Sequence, residues 1–575
     1  MSKASAMPFA SATGSEAPGL FGQNPTQASP STPVTTRVAI PFSLCFIVKK
    51  RQGVYRMIYL IIFLLLCALA YLLTPLIFPG YLIKSQNHSL TNATTLSHND
   101  LLQLLHFFEY TPVEIDGVCH GFTLNWALAA AGKSENYFFN LLNTLRTHKA
   151  VLLDQSKSIS EKVKNHLPLN KKEIHLGELQ SLLGLICLAQ DPDVYHEVYN
   201  KPLAQSAINP ILKMIRHQKT PEHQTVQCLY QKTVPCASKA RLQEFLQQMR
   251  LLLRLGDHVA ILAGSEEHSV GFRVHSKGWL FMDINNLYKQ SKDYPQQILS
   301  TALLAERLYE TLFEKGNHFI LSTCFIASPN ASLLHRLKKL DLMFPVTKKN
   351  MAITNSRGYG LLPIATQSND VPTVRELLTL DNQHAFLNKT QLKRTLFYAA
   401  AYNHAAILKM LRRKAGLDLN TPCDSDHNSM LGLACREGHT EAVCELLRDP
   451  RVDVNYINKE GYTPLMLACT SECTTANRAL FLALLERGAN TLSPEGKPIV
   501  ELAAVYDNQA AIEAITSHQA STPKDSASAL RQCLTKAYGH FFKGSSPSKP
   551  EVTSSLAVSS FKGSISATNP PIPQA

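Results

Sequence analysis

The 575-residue chain has no Cys-x-x-Cys pair and no group of His, Cys and acidic residues at metal-ligand spacing. A structural zinc site is thereby excluded, and neither a metal nor any other cofactor is expected. Its thirteen cysteines are odd in number and scattered, which argues against a disulfide scaffold and for a reducing compartment. Acidic residues are in short supply, 44 Asp and Glu against 57 Lys and Arg, for a formal charge of +13. That excess suits anionic surfaces or acidic partners. Aromatic and basic residues are nowhere interleaved in a nucleic-acid motif, so no DNA or RNA partner is expected. Near Met1 no apolar run of the secretory type occurs. What is present is an ordinary 45% of apolar residues, in a chain too long for a single domain.

One stretch lacks charge altogether. Residues 57–83 contain no Asp, Glu, Lys or Arg, and they exceed the ~20 apolar residues that span a bilayer. Tyr59 and Tyr81 sit where interfacial anchors would, and Pro75 and Pro79 would end or kink a helix on the far side. A single-pass transmembrane helix in contact with membrane lipid is therefore expected. Before it come a disordered Ser/Thr/Pro-rich segment, 1–36, and a juxtamembrane segment, 37–56, containing Lys49, Lys50, Arg51 and Arg56. The basic flank argues for a cytoplasmic N-terminal side, which conflicts with a reducing environment for the rest, so topology stays open. A polar linker, 84–100, follows.

The segment Gly117-Val118-Cys119-His120-Gly121-Phe122-Thr123-Leu124-Asn125-Trp126 places a cysteine just before a run of helix formers, Leu124 to Ala131. Backbone N–H groups and the helix dipole at such a start favour a thiolate. A nucleophilic thiol needs a base, and the base needs an orienting group. Gly256 to Asn286 supplies both. Three apolar segments, Val259–Ala263, Val270–Val274 and Trp279–Met282, read as strands, with a hairpin signal at Ser276-Lys277-Gly278. His268 then opens one strand and Asp283 closes the next, bringing both to one end of the hairpin. His258 is the competing base; His275 falls in the turn, and His120 would point away from its neighbour.

These motifs resemble the YopT-like papain-fold cysteine peptidases of secreted bacterial effectors: cysteine first, in a G-x-C-x-G-aromatic-Thr-x-x-Trp pattern, then a late His-Ser-Val-Gly-Phe strand and Phe-Met-Asp-Ile-Asn. The resemblance implies an α+β papain-like domain over 101–328, with Cys119 as nucleophile, His268 as base and Asp283 as orienting acid. It also implies a host protein target, such as a lipidated membrane-bound small GTPase, and action by an effector in a host membrane. One departure is that Leu104 to Val118 contains no Asn or Gln of the kind that supplies an oxyanion donor. An inert domain in an adaptor, or a thiol acyltransferase or deamidase, are the alternatives. Between Cys119 and His268 helices are expected over Ser134–Leu153, Leu176–Gln190, Pro210–Gln218 and Lys239–Leu255.

Beyond a helical linker, 329–357, the chain repeats itself. Ala365, Ala399, Ala434, Ala468 and Ala503 advance by 34 or 35 residues, each in a short apolar helix and each followed by a second helix. Thr463-Pro464-Leu465 is the nearest to a full repeat core. The pattern resembles the ankyrin repeat and implies an all-α solenoid over 358–519 with a concave face that recruits the target. Residues 520–575 are read as a capping helix, Ala529–Phe542, and a disordered tail. The expected whole is a multidomain, membrane-anchored peptidase.

Overall fold

The computed structural model describes residues 96–108, 117–216, 225–265, 268–289, 297–312, 318–380, 389–414, 416–471, 473 and 477–521. All of them belong to one compact unit, Ser89–Ala575. Among the described residues no helix is long and apolar enough to cross a membrane, and the single-pass integral membrane assignment is corrected accordingly. The two helices with sufficient length, Glu135–Lys164 and Lys171–Gln190, carry Lys and Glu residues along them. Residues 57–83 lie outside the described residues, as do both expected disordered ends and Ala529–Phe542.

The first half is a mixed α/β structure. Besides the single turn His196–Tyr199, five helices come before the sheet: α1 (His98–Phe107), α2 (Cys119–Ala131), α3 (Glu135–Lys164), α4 (Lys171–Gln190) and α5 (Ile208–Met214). The strands are β1 (Gln227–Cys236), β2 (Ala260–Gly264), β3 (Ser269–His275), β4 (Gly278–Met282), β5 (Gln297–Leu299) and β6 (Phe319–Ala327). They form one antiparallel sheet in the order β1-β6-β2-β3-β4-β5. Helix α6 (Lys239–Leu252) lies between β1 and β2, and α7 (Thr301–Leu312) between β5 and β6.

Alternation along the strands sorts the core into two layers. Ala260, Leu262, Leu280, Met282 and Ile326 join the core built on α1–α5. Ile261, Phe272, Phe281 and Phe325 join the opposite layer, with α6, α7 and the short helices Ala331–Leu337 and Lys339–Met343. The linker 329–357 contains three short helices, Ala331–Leu337, Lys339–Met343 and Lys348–Met351.

Strands β2, β3 and β4 coincide with the apolar segments read from the sequence, but β1, β5 and β6 add half the sheet. Strand β1 is polar, contains Pro235 and buries Lys232, features that disguise it. It tolerates the proline because it is an edge strand. It tolerates the lysine because Lys232 Nζ pairs with Asp341 Oδ1 at 2.9 Å, where the Tyr230 hydroxyl also donates at 2.8 Å.

Helix α2 is buried on nearly every side, with Phe122, Leu124, Trp126 and Ala127 fully inaccessible. It is held between β2, β3 and α4. Two glycines permit that fit. A Cβ on Gly271 of β3 would stand 2.2 Å from the Trp126 ring, and one on Gly121 would stand 2.1 Å from the Ile186 carbonyl of α4.

The second half consists of stacked helix pairs: Leu361–Gln367 with Val371–Leu380, Lys389–Ala401 with Ala405–Arg412, Met430–Arg436 with Thr440–Leu446, Pro464–Cys469 with Arg478–Glu486, and Ile499–Val505 with Gln509–Ser521. They share one continuous core. Thr463 caps its helix by accepting from Met466 N at 3.3 Å, with Pro464 at the first helical position, where its missing N–H costs nothing.

The stack packs directly on the sheet. Asp370, in the turn between the first two paired helices, accepts from Thr233 N of β1 at 2.7 Å. The equivalent turn of the second pair contributes His404, whose Nε2 meets Ser206 Oγ at 2.7 Å. From the third pair, Glu441 pairs with Lys201 at 3.3 Å.

Candidate active site

Cys119 is the first residue of α2, half-buried, with Val118 as the cap. His268 sits one residue before β3 and Asp283 one residue after β4, so the β3–β4 hairpin carries both side chains at one end. The Asp283 carboxylate is buried, and its Oδ1 lies 3.1 Å from His268 Nε2. Asp283 Oδ1 also accepts from Asn285 N at 3.0 Å, and Oδ2 accepts from Asn286 Nδ2. The Cys119 side chain is a second hydrogen-bond partner of the His268 imidazole. With Nε2 engaged by Asp283, Nδ1 is the ring nitrogen left for the thiol. Burial works against a proton on His268, but the bonds to Asp283 and Cys119 outweigh it and raise its pKa from 6.5 to about 9.

The structure thus brings Cys119, His268 and Asp283 together, and it separates His258 and His275 from them. His258 has a left-handed backbone, φ 50°, and lines a cavity with Ala130, Lys133, Glu135 and Arg273, at the C-terminal end of α2. His275 ends β3 beside the hairpin turn, where its Nδ1 accepts from Lys277 N at 3.2 Å. His120 is buried, with Nδ1 3.5 Å from Ser269 Oγ, and burial lowers its pKa to about 4.

Several supporting groups went unread in the sequence. His98 of α1 reaches both the Asp283 loop and the Cys119 loop: Nδ1 is 2.9 Å from Asn285 Oδ1, and Val118 N donates to Nε2 at 3.3 Å. Gln190, at the end of α4, accepts from Gly121 N at 3.0 Å through its side-chain oxygen. Thr123 Oγ1 donates to Ser269 O at 3.2 Å, tying α2 to the start of β3. Further along α2, Trp126 Nε1 donates to Glu135 at 3.0 Å, and Glu135 in turn pairs with Arg273 of β3 at 2.9 Å. Apart from Trp126 with Glu135, nine residues on, these pairings join elements distant in sequence and follow no spacing motif. No group of His, Cys, Asp and Glu among the described residues could hold a metal ion.

Residues 396–495 and 431–526 match the family model of ankyrin repeats, in three copies. The C-terminal helix pairs are therefore an ankyrin-repeat array, a fold whose general use is protein–protein binding. The solved structures similar to this chain include an ankyrin repeat domain from Acinetobacter baumannii, at 22% identity and TM-score 0.27, covering 32% of this chain and 92% of that one. A second ankyrin repeat protein is 23% identical with TM-score 0.26, covering 33% and 92% respectively. No curated protein matches the chain.

Proposed function

We propose that the α/β half is a papain-like cysteine peptidase and that the ankyrin array presents its protein target. The observation that carries this reading is the imidazole of His268 hydrogen-bonded to both Cys119 and Asp283, with the sulfur at the start of a buried helix. A proton on His268 beside the sulfur supports a thiolate. In the reaction the Cys119 sulfur adds to a peptide carbonyl and His268 gives its proton to the leaving amine, so that the C–N bond breaks and an acyl-enzyme forms. His268, now neutral, takes a proton from water, which attacks the thioester and frees the thiol. Asp283 keeps the imidazole in one orientation throughout. The resemblance to YopT-like enzymes makes lipidated small GTPases of a host cell the first substrates to try.

The test is alkylation of the full chain with limiting iodoacetamide, mapped by peptide mass, in wild type, Cys119→Ser, His268→Ala and His258→Ala. The expected result is labelling that concentrates on Cys119, falls with His268→Ala and persists with His258→Ala. Cys119 reacting no faster than the other thiols would sink the peptidase reading and leave a binding protein built on its ankyrin array. Candidate proteins incubated with wild type and Cys119→Ala should then differ by new N-termini. A mass change without cleavage would instead identify acyl transfer or deamidation by the same thiol.

A further inference from the structure

We propose that His98 is a positioning residue for Cys119, clamping the backbone before the nucleophile to the loop that carries the acid. This inference rests on the peptidase reading of Cys119. Asn285 Oδ1 can only accept, so the 2.9 Å contact with His98 Nδ1 places a hydrogen on that nitrogen. In the neutral ring Nε2 is then an acceptor, and Val118 N donates to it at 3.3 Å. Both contacts are satisfied by one tautomer.

The two bonds close a ring of contacts around the site. Val118 N bonds His98, His98 bonds the Asn285 side chain, and Asn285 N bonds Asp283 Oδ1. Asp283 bonds His268, whose other partner is Cys119, the residue after Val118. Only His98 in this ring comes from α1, whose N-terminus is fastened by a Ser97–Asp100 capping box. Gly117 leaves the space for it, since a Cβ there would stand 3.2 Å from His98 Cε1. Loss of His98 would free the Cys119 loop from the Asp283 loop on that side, while the His268–Asp283 pair remained.

The clamp requires a neutral ring, because a proton on Nε2 turns the acceptor facing Val118 N into a donor. Burial lowers the His98 pKa from its usual value, the Asn285 bond opposes that, His268 lowers it further and Asp283 raises it. The titratable groups facing His98 are therefore His268 before β3 and Asp283 after β4, and the net shift keeps the ring neutral at pH 7.

The experiment measures the iodoacetamide rate at Cys119 between pH 5 and 8.5 in the full chain, for wild type, His98→Ala and His98→Gln. A displaced reacting group costs on the order of 10- to 100-fold in rate, and His98→Ala is expected in that range at pH 7.5. His98→Gln offers a donor and an acceptor from one amide, and should recover most of the rate while losing the acid limb that wild type shows as His98 protonates. Simple unfolding would not give that rescue or that change in pH profile. Wild-type rates and profiles in both variants would overturn the clamp and leave the nucleophile reading standing. A wild-type Cys119 no faster than the other thiols would overturn both.

Discussion

Asp283 is buried and accepts from three groups, the His268 ring, Asn285 N and the Asn286 side chain. Such a carboxylate stays put while the ring beside it changes charge. The His268 titration, followed by NMR of the ring protons, should have its midpoint near pH 9 in wild type and should move down in both Asp283→Asn and Cys119→Ala. Because this folded pKa is raised above the unfolded 6.5, the stabilisation from His268 is fully present below about pH 6.5. It is lost as pH rises through about 9. The stability difference between wild type and His268→Gln, from urea melts, should therefore shrink across that window. The other thiols present a contrast. Burial pushes Cys236 and Cys469 up to about 12 and raises Cys187, Cys423 and Cys435 as well, so all five should alkylate slowly in the folded protein.

The decisive element is α2, a helix with almost no polar face, wedged between β3 and α4. Its close approach depends on glycines in its neighbours and in itself. In Gly271→Ala the new methyl would overlap the Trp126 ring at 2.2 and 2.5 Å and touch Thr123 Cγ2 at 3.0 Å. Overpacking of that kind typically costs about 1–3 kcal/mol. A urea-melt loss in that range is expected, with slower Cys119 alkylation because the thiol rides on the displaced helix. An unchanged melt would show that the helix can slide without loss. The start of α2 and the strands β2, β3 and β4 were legible because their apolar runs are bounded by glycine and polar turns. Strand β6 was not, although all but one of its nine residues are buried: its run Phe319–Ala327 has no alternating polar face to separate it from a buried helix.

On the scale of the molecule, the ankyrin array and the sheet are joined rather than strung together. The first three pairs supply Asp370 and His404 from their interhelical turns, and Glu441 from the first turn of a helix, to the α/β half. Asp370 is nearly inaccessible and accepts from Thr233 N and from Thr373 N at 3.2 Å. Asp370→Ala leaves buried N–H groups without an acceptor, a loss of about 1–3 kcal/mol. The expected outcome is a lower melting temperature with earlier proteolysis near the junction of the two halves. A wild-type melting curve would mean that this contact does not hold the halves together.

From the sequence alone came the repeat period, and with it the ankyrin array, because each unit spells the same short helices 34 or 35 residues apart. The residue types around Cys119, His268 and Asp283 were equally readable, since a helix start and a hairpin are local features. Tertiary structure alone decided which partners complete the site: His98 and Gln190 arrive on α1 and α4, far from the motifs along the chain. It also decided that a polar strand with Lys232 and Pro235 belongs to the sheet, as its edge position and the Asp341 partner become available only once the chain has folded.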